Sequence, residues 1–69
     1  MSSATYTVTG MTCQHCVASV TEEIGEIAGV TGVDVDLGSG AVTVTSESEI
    51  TDDAVRAAVH EAGYEVVAA

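Results

Sequence analysis

Two thiols separated by two residues, Cys13 and Cys16, stand in the segment Gly10 Met11 Thr12 Cys13 Gln14 His15 Cys16. A pair at that spacing can close around a soft metal ion as thiolates, or cycle between dithiol and disulfide. Counting ligands narrows the metal. Structural zinc takes four, commonly from two Cys pairs or from a Cys pair with a His pair, and the sequence offers no second pair at suitable spacing. Cu(I) accepts low coordination and prefers sulfur, and Hg(II) would satisfy the same two donors. Hard cations are disfavoured because no calcium-binding type of oxygen-ligand loop occurs. The redox alternative is weakened by the intervening Gln14 His15, which is not of the Gly-Pro type, and by the absence of Trp. A thioredoxin core also needs about 100 residues or more, and this chain has 69.

The elements that must hold this pair follow from hydrophobic period. Ala4, Tyr6 and Val8 alternate with Thr5, Thr7 and Thr9, the pattern of a strand with one buried face, and Gly10 ends it. From Cys16 onward Val17, Val20, Ile24 and Ile27 recur at helical spacing with Glu22, Glu23 and Glu26 between them. Gly29 is the expected stop and Gly25 an interior cost. Cys13 therefore falls in the loop between strand and helix, and Cys16 in the helix's opening turn, where the positive end of the helix dipole favours thiolate.

Further along, Val33, Val35 and Leu37 alternate with Asp34 and Asp36, and Val42 and Val44 with Thr43 and Thr45; the turn Gly38 Ser39 Gly40 joins them as a hairpin. Thr51 is a candidate N-cap for a second helix that carries Asp52 and Asp53 in its first turn. Its apolar side is Ile50, Ala54, Val55, Ala58, Val59 and Ala62, and Gly63 stops it. Tyr64 to Val67 form a last strand. The order predicts an α+β fold of the ferredoxin-like βαββαβ type, a four-stranded antiparallel sheet with both helices on one face, built from 1–69 as a single domain. The Thr- and Asp-rich positions would face water on the other side.

Composition excludes several functions. Eleven Asp or Glu against one Arg and no Lys give a formal charge of −10, which argues against nucleic acid and against anionic membrane surfaces. With 46% apolar residues the chain is too hydrophobic for a disordered acidic tail. No apolar run approaches the ~18–20 residues of a membrane span. The N-terminus lacks the basic leader and apolar stretch of a secretory signal, so the expected location is cytoplasmic, where thiols stay reduced.

The run from Gly10 through Cys16 to Val17, with Gly29 Val30, Val33 Asp34 Val35 Asp36 Leu37, Ala41 Val42 Thr43 Val44 and Ala62 Gly63 Tyr64 Glu65 Val66, resembles the heavy-metal-associated domains. The likeness is strongest to small bacterial copper chaperones and covers nearly the whole chain. The resemblance implies a non-enzymatic carrier that holds Cu(I) on Cys13 and Cys16. It hands the metal to a copper-exporting P-type ATPase, at that protein's metal-binding domains or entry site, through shared-thiolate intermediates. It also implies that Met11 packs beneath the metal loop without ligating and that Tyr64 lies near the thiolates, where eukaryotic relatives carry Lys. The present chain departs from those relatives in having no Lys, so it lacks their basic docking face.

Read from the residues alone, Met11 is a flexible apolar filler and Tyr64 a core aromatic. His15 is a solvent-facing residue that tunes the loop's charge, with ligation in a copper-bridged dimer as the alternative to an apo monomer. His60 reads as exposed helix surface and Tyr6 as a packed strand residue. Three other functions remain open: a module of a larger heavy-metal transporter, a mercury carrier, and a thiol-disulfide oxidoreductase. A chain beginning just before the first strand and ending just after the last is expected of a free-standing domain, and a mercury carrier is expected to have an export signal. The carboxylates of the first helix and of the stretch from Glu47 to Asp53 are expected to steer the protein toward a basic patch on its partner, an effect that salt weakens.

Overall fold

A computed structural model describes residues 2–68. The ends of the expected 1–69 domain, Met1 and Ala69, lie outside the described residues. The elements are β1 (Ser2–Thr9), α1 (Gln14–Gly25), β2 (Val30–Asp36), β3 (Ala41–Ser46), α2 (Asp52–Glu61) and β4 (Glu65–Ala68). All pairings are antiparallel, in the order β2-β3-β1-β4. This is the ferredoxin-like arrangement predicted from the order of periods.

One face of the sheet meets both helices. Tyr6 and Val8 from β1 and Val42 and Val44 from β3 are buried with Val20 and Ile24 of α1 and Val55, Ala58 and Val59 of α2. Val33 and Val35 pair with Val44 and Val42 and pack against this cluster. The period of two puts Thr5, Thr9, Asp34 and Asp36 on the other side, where all four are exposed, and Thr5 and Thr43 approach across the strands at 3.3 Å.

Three boundaries differ from the sequence reading. β1 begins at Ser2, because Ser2 pairs with Ser46 although neither residue carries an apolar signal. α1 opens at Gln14 and closes at Gly25, four residues before Gly29. Ile27 continues the apolar spacing and packs on the core, yet it is reached through a tight turn in which its amide donates to the Ile24 carbonyl at 3.0 Å. Tyr64 lies in the turn before β4, which starts one residue later than expected. Thr51 caps α2 as predicted, its hydroxyl accepting from the Ala54 amide at 3.1 Å.

The chain's path sorts the connections by end. The loop Gly10–Cys13, the turn Leu37–Gly40 and the turn Ala62–Tyr64 all lie at the finish of β1, whereas α1 ends and α2 begins beside its start.

Candidate metal centre

Cys13 is the N-cap of α1, in extended backbone, and Cys16 is the third helical residue. The Cys13 carbonyl accepts from the amides of Cys16 and Val17 at 3.1 and 3.3 Å, which starts the helix and turns both side chains toward one another. Their sulfurs stand 3.6 Å apart, and both thiols are free. Cys13 is exposed, while Cys16 is only 9% exposed. One donor therefore faces incoming groups and the other is anchored at the edge of the core.

The electrostatics favour sulfur in its anionic form. No side chain caps the start of α1, and its first turn holds no acid, so the partial positive charge of the helix end acts on the thiols undiluted. The Cys16 thiol is lowered from 9.0 to about 6. Hydrogen bonding from the Thr12 backbone contributes most, followed by the Tyr64 hydroxyl and the Cys13 backbone, against an opposing push from burial. The Thr12 hydroxyl adds a contact to the sulfur at 3.8 Å. Tyr64 in turn has its phenol raised, chiefly through its bond to Cys16.

Tyr64 owes its place to the way α2 ends. The Tyr64 amide donates to the Val59 carbonyl at 3.1 Å and the Gly63 amide to the His60 carbonyl at 2.9 Å, with Gly63 at φ +95°. This is the Schellman closure, which needs a left-handed residue at the Gly63 position. The closure sends the next side chain back over the sheet. There the Tyr64 ring lies against the start of the Cys loop: a Cβ at Gly10 would meet the ring Cδ1 at 3.1 Å.

Of the residues singled out from sequence, Cys13, Cys16 and Tyr64 come together. Met11 is half-buried and packs against the core cluster. His15 is exposed. His60 is also exposed and lines a shallow groove with Arg56 and Tyr64. Thr12 was missed as a contributor; its only sequence signal is a hydroxyl four residues before Cys16 at a helix start. Among the described residues no group of three or more His, Cys, Asp or Glu converges on one point.

A ferredoxin-like domain with two approaching thiols where its first strand meets its first helix defines a class of small soft-metal-binding modules. The heavy-metal-associated domain model matches residues 5–65, and the chain belongs to that family. The copper chaperone CopZ of Bacillus subtilis is 37% identical over 67 residues, covering 96% of this chain and 97% of its own. The solved structure of a CopZ metallochaperone superimposes with a TM-score of 0.89 at 36% identity, covering 96% of this chain and all of the other. A copper-binding domain from HMA7, a P-type ATPase, gives 0.90 at 26% identity, with coverage of 100% and 95%. No helix among the described residues is long and apolar enough to cross a membrane.

Proposed function

We propose that this chain is a cytoplasmic, non-catalytic carrier of Cu(I), which it holds on Cys13 and Cys16 and passes to a copper-transporting P-type ATPase by ligand exchange. The observation that carries the reading is the thiol pair, 3.6 Å apart at an uncapped helix start with no third ligand converging among the described residues. Two soft donors match a metal that tolerates low coordination, and they fall short of the four ligands of a structural zinc. Similarity to CopZ and to an ATPase copper-binding domain supports both the cargo and the recipient.

Exposure sets the order of transfer. An incoming thiolate adds to the bound ion from the solvent side. Cys13, exposed, leaves first and takes up a proton from solvent as the partner's thiol gives one up. Cys16 is buried and contacted by the Thr12 hydroxyl and leaves last. Met11 supports the loop from beneath, and Tyr64 stabilises the Cys16 thiolate. His15 stays outside the two-coordinate site and alters the charge of its rim.

Anaerobic titration with Cu(I) against a competing chelator, followed by intact mass measurement, tests the reading. One copper per monomer is expected. A protein that exchanges rapidly with small disulfides and holds copper no better than a free dithiol would be an oxidoreductase instead.

A further inference from the structure

Seven of the eleven acidic residues lie at the end of the molecule away from the thiols. Glu22, Glu23 and Glu26 stand at the close of α1, and four more lie between Glu47 and Asp53 at the opening of α2. The three connections at the thiol end, Gly10–Cys13, Leu37–Gly40 and Ala62–Tyr64, contain none, and only Asp36, Glu61 and Glu65 flank them. β1 alone separates the two ends by eight residues, about 25 Å of extended chain. A basic patch that attracted these carboxylates would therefore dock the end opposite the cargo. The larger share of the acidic field is therefore not at the thiols; it marks a second surface.

That surface contains a groove of about 290 Å³ between the start of β1, the end of β3 and the approach to α2. Ala4, Val44 and Ile50 contribute apolar walls, and Glu49 and Asp52 contribute carboxylates. Asp52 is held in place: the buried Tyr6 hydroxyl donates to its Oδ1 at 3.0 Å, and the carboxylate keeps lone pairs for another donor. The groove falls at the lower limit of small-molecule pockets, roughly 300 Å³, and suits one long side chain. Lysine has the matching chemistry, an alkyl stem for the apolar walls and a compact ammonium for the two acids.

We infer that this groove is a docking site for a lysine-bearing protein segment, separate from the metal-transfer face, so that a partner can hold the domain while the Cys loop stays free. The rest of the acidic end supplies long-range attraction, and the groove supplies the place of contact.

The test uses the full chain, without metal, and a capped peptide alternating Gly and Lys at low ionic strength, followed by amide chemical shifts. Shift changes are expected at Ser2–Ala4, Val44–Ser46 and Glu49–Asp52, with Gly10–Cys16 unmoved. Replacing the peptide's Lys by norleucine should abolish binding. The double variant E49Q/D52N should weaken binding about tenfold, the sum of two partly exposed ion pairs, and the equally charged control D34N/E61Q less than about twofold. Asn at 52 keeps an acceptor for Tyr6, and E49Q alone, at an exposed loop position, should lose about threefold without touching the fold. Equal losses in both double variants would mean diffuse attraction and overturn the inference. Shifts centred on the Cys loop, tight binding of the norleucine peptide, or no binding at low salt would overturn it as well.

Discussion

Replacing Gly40 by Ala should remove a large part of the domain's stability, although the position is a turn residue remote from the thiols in sequence. Gly40 has φ +77°, where an L side chain costs about 1–2 kcal/mol. An added Cβ would also lie 2.6 Å from the Val8 carbonyl oxygen. That oxygen is backbone, so strand β1 itself must retreat by about 0.8 Å to regain the 3.4 Å of ordinary contact. The Val8 amide donates to the Gly40 carbonyl at 2.9 Å, and displacing β1 puts that bond, worth about 1 kcal/mol, at risk. Reduced freedom of the unfolded chain returns about 0.5 kcal/mol. With about 1 kcal/mol or more for the forced shift of β1, the net loss is about 3 kcal/mol, against a total stability of roughly 3.5–10 kcal/mol for a domain this size. Urea unfolding followed by far-ultraviolet circular dichroism should show a lower midpoint at unchanged slope. Gly25→Ala is the control: Gly25 closes α1 at negative φ, and nothing lies within 4 Å of its added Cβ, so stability should rise by about 0.5 kcal/mol. A Gly40→Ala protein within about 0.5 kcal/mol of the parent, or a Gly25→Ala protein equally damaged, would refute the steric reasoning.

Cys13→Ser and Cys16→Ser should each abolish one-to-one Cu(I) binding while the far-ultraviolet spectrum stays native, because neither thiol belongs to the buried cluster. In a Cys13→Ser background, alkylation of Cys16 should rise with pH and level off above a midpoint near 6. Adding Tyr64→Phe should move that midpoint upward, since a donor to the thiolate is gone. The linked effect on stability has the sign of any depressed acid: it is fully present above the ordinary thiol value of 9.0 and lost as pH falls through about 6. Tyr6→Phe should cost about 1 kcal/mol through the lost bond to Asp52. Because burial, then Asp52, raise the Tyr6 phenol, the difference between parent and variant should shrink as the pH climbs through its raised value above 10. Transfer of Cu(I) to a recipient thiol pair should outpace spontaneous dissociation, as measured by stopped-flow chelator capture. Equal rates would exclude direct exchange.

Elements were legible where period and burial agree. Val42 and Val44 against Thr43 and Thr45, or Val55, Ala58 and Val59 on α2, declare their faces because every second or every third to fourth side chain enters the same core. The end of α1 misled for the same reason: Ile27 reaches that core from a turn, so apolar spacing outlasts the helix. Ser2 joins β1 through backbone pairing alone, which leaves no trace in hydropathy. The thiol pair was visible as a local motif. What tunes Cys16 was visible only in part, since Tyr64 stands 48 residues away and is brought over by the closure of α2. The bond from Tyr6 to Asp52 spans 46 residues and has no local signature. The two ends of the charge distribution likewise emerge only once the chain is folded, because acids adjacent in space come from the end of one helix and the beginning of the other.

The two helices are fastened unequally. α2 opens on the Thr51 cap with Asp52 and Asp53 behind it, whereas α1 opens on Cys13 with neither cap nor acid. Free energies of local opening differ accordingly, and the first turn of α1 is the cheapest part of either helix to unwind. With its thiol lowered to about 6, Cys16 already places one negative charge at this helix end near neutral pH; on the proposed reading, loading keeps that net charge and adds a bridge from Cys13 at the N-cap to Cys16 in the first turn. Cargo then serves as the absent cap. Occupancy would be recorded as local order, and departure as the melting of a single turn, with Val20 and Ile24 holding the remainder of α1 to the sheet throughout. A carrier so built would give up its load without passing through a globally unfolded state.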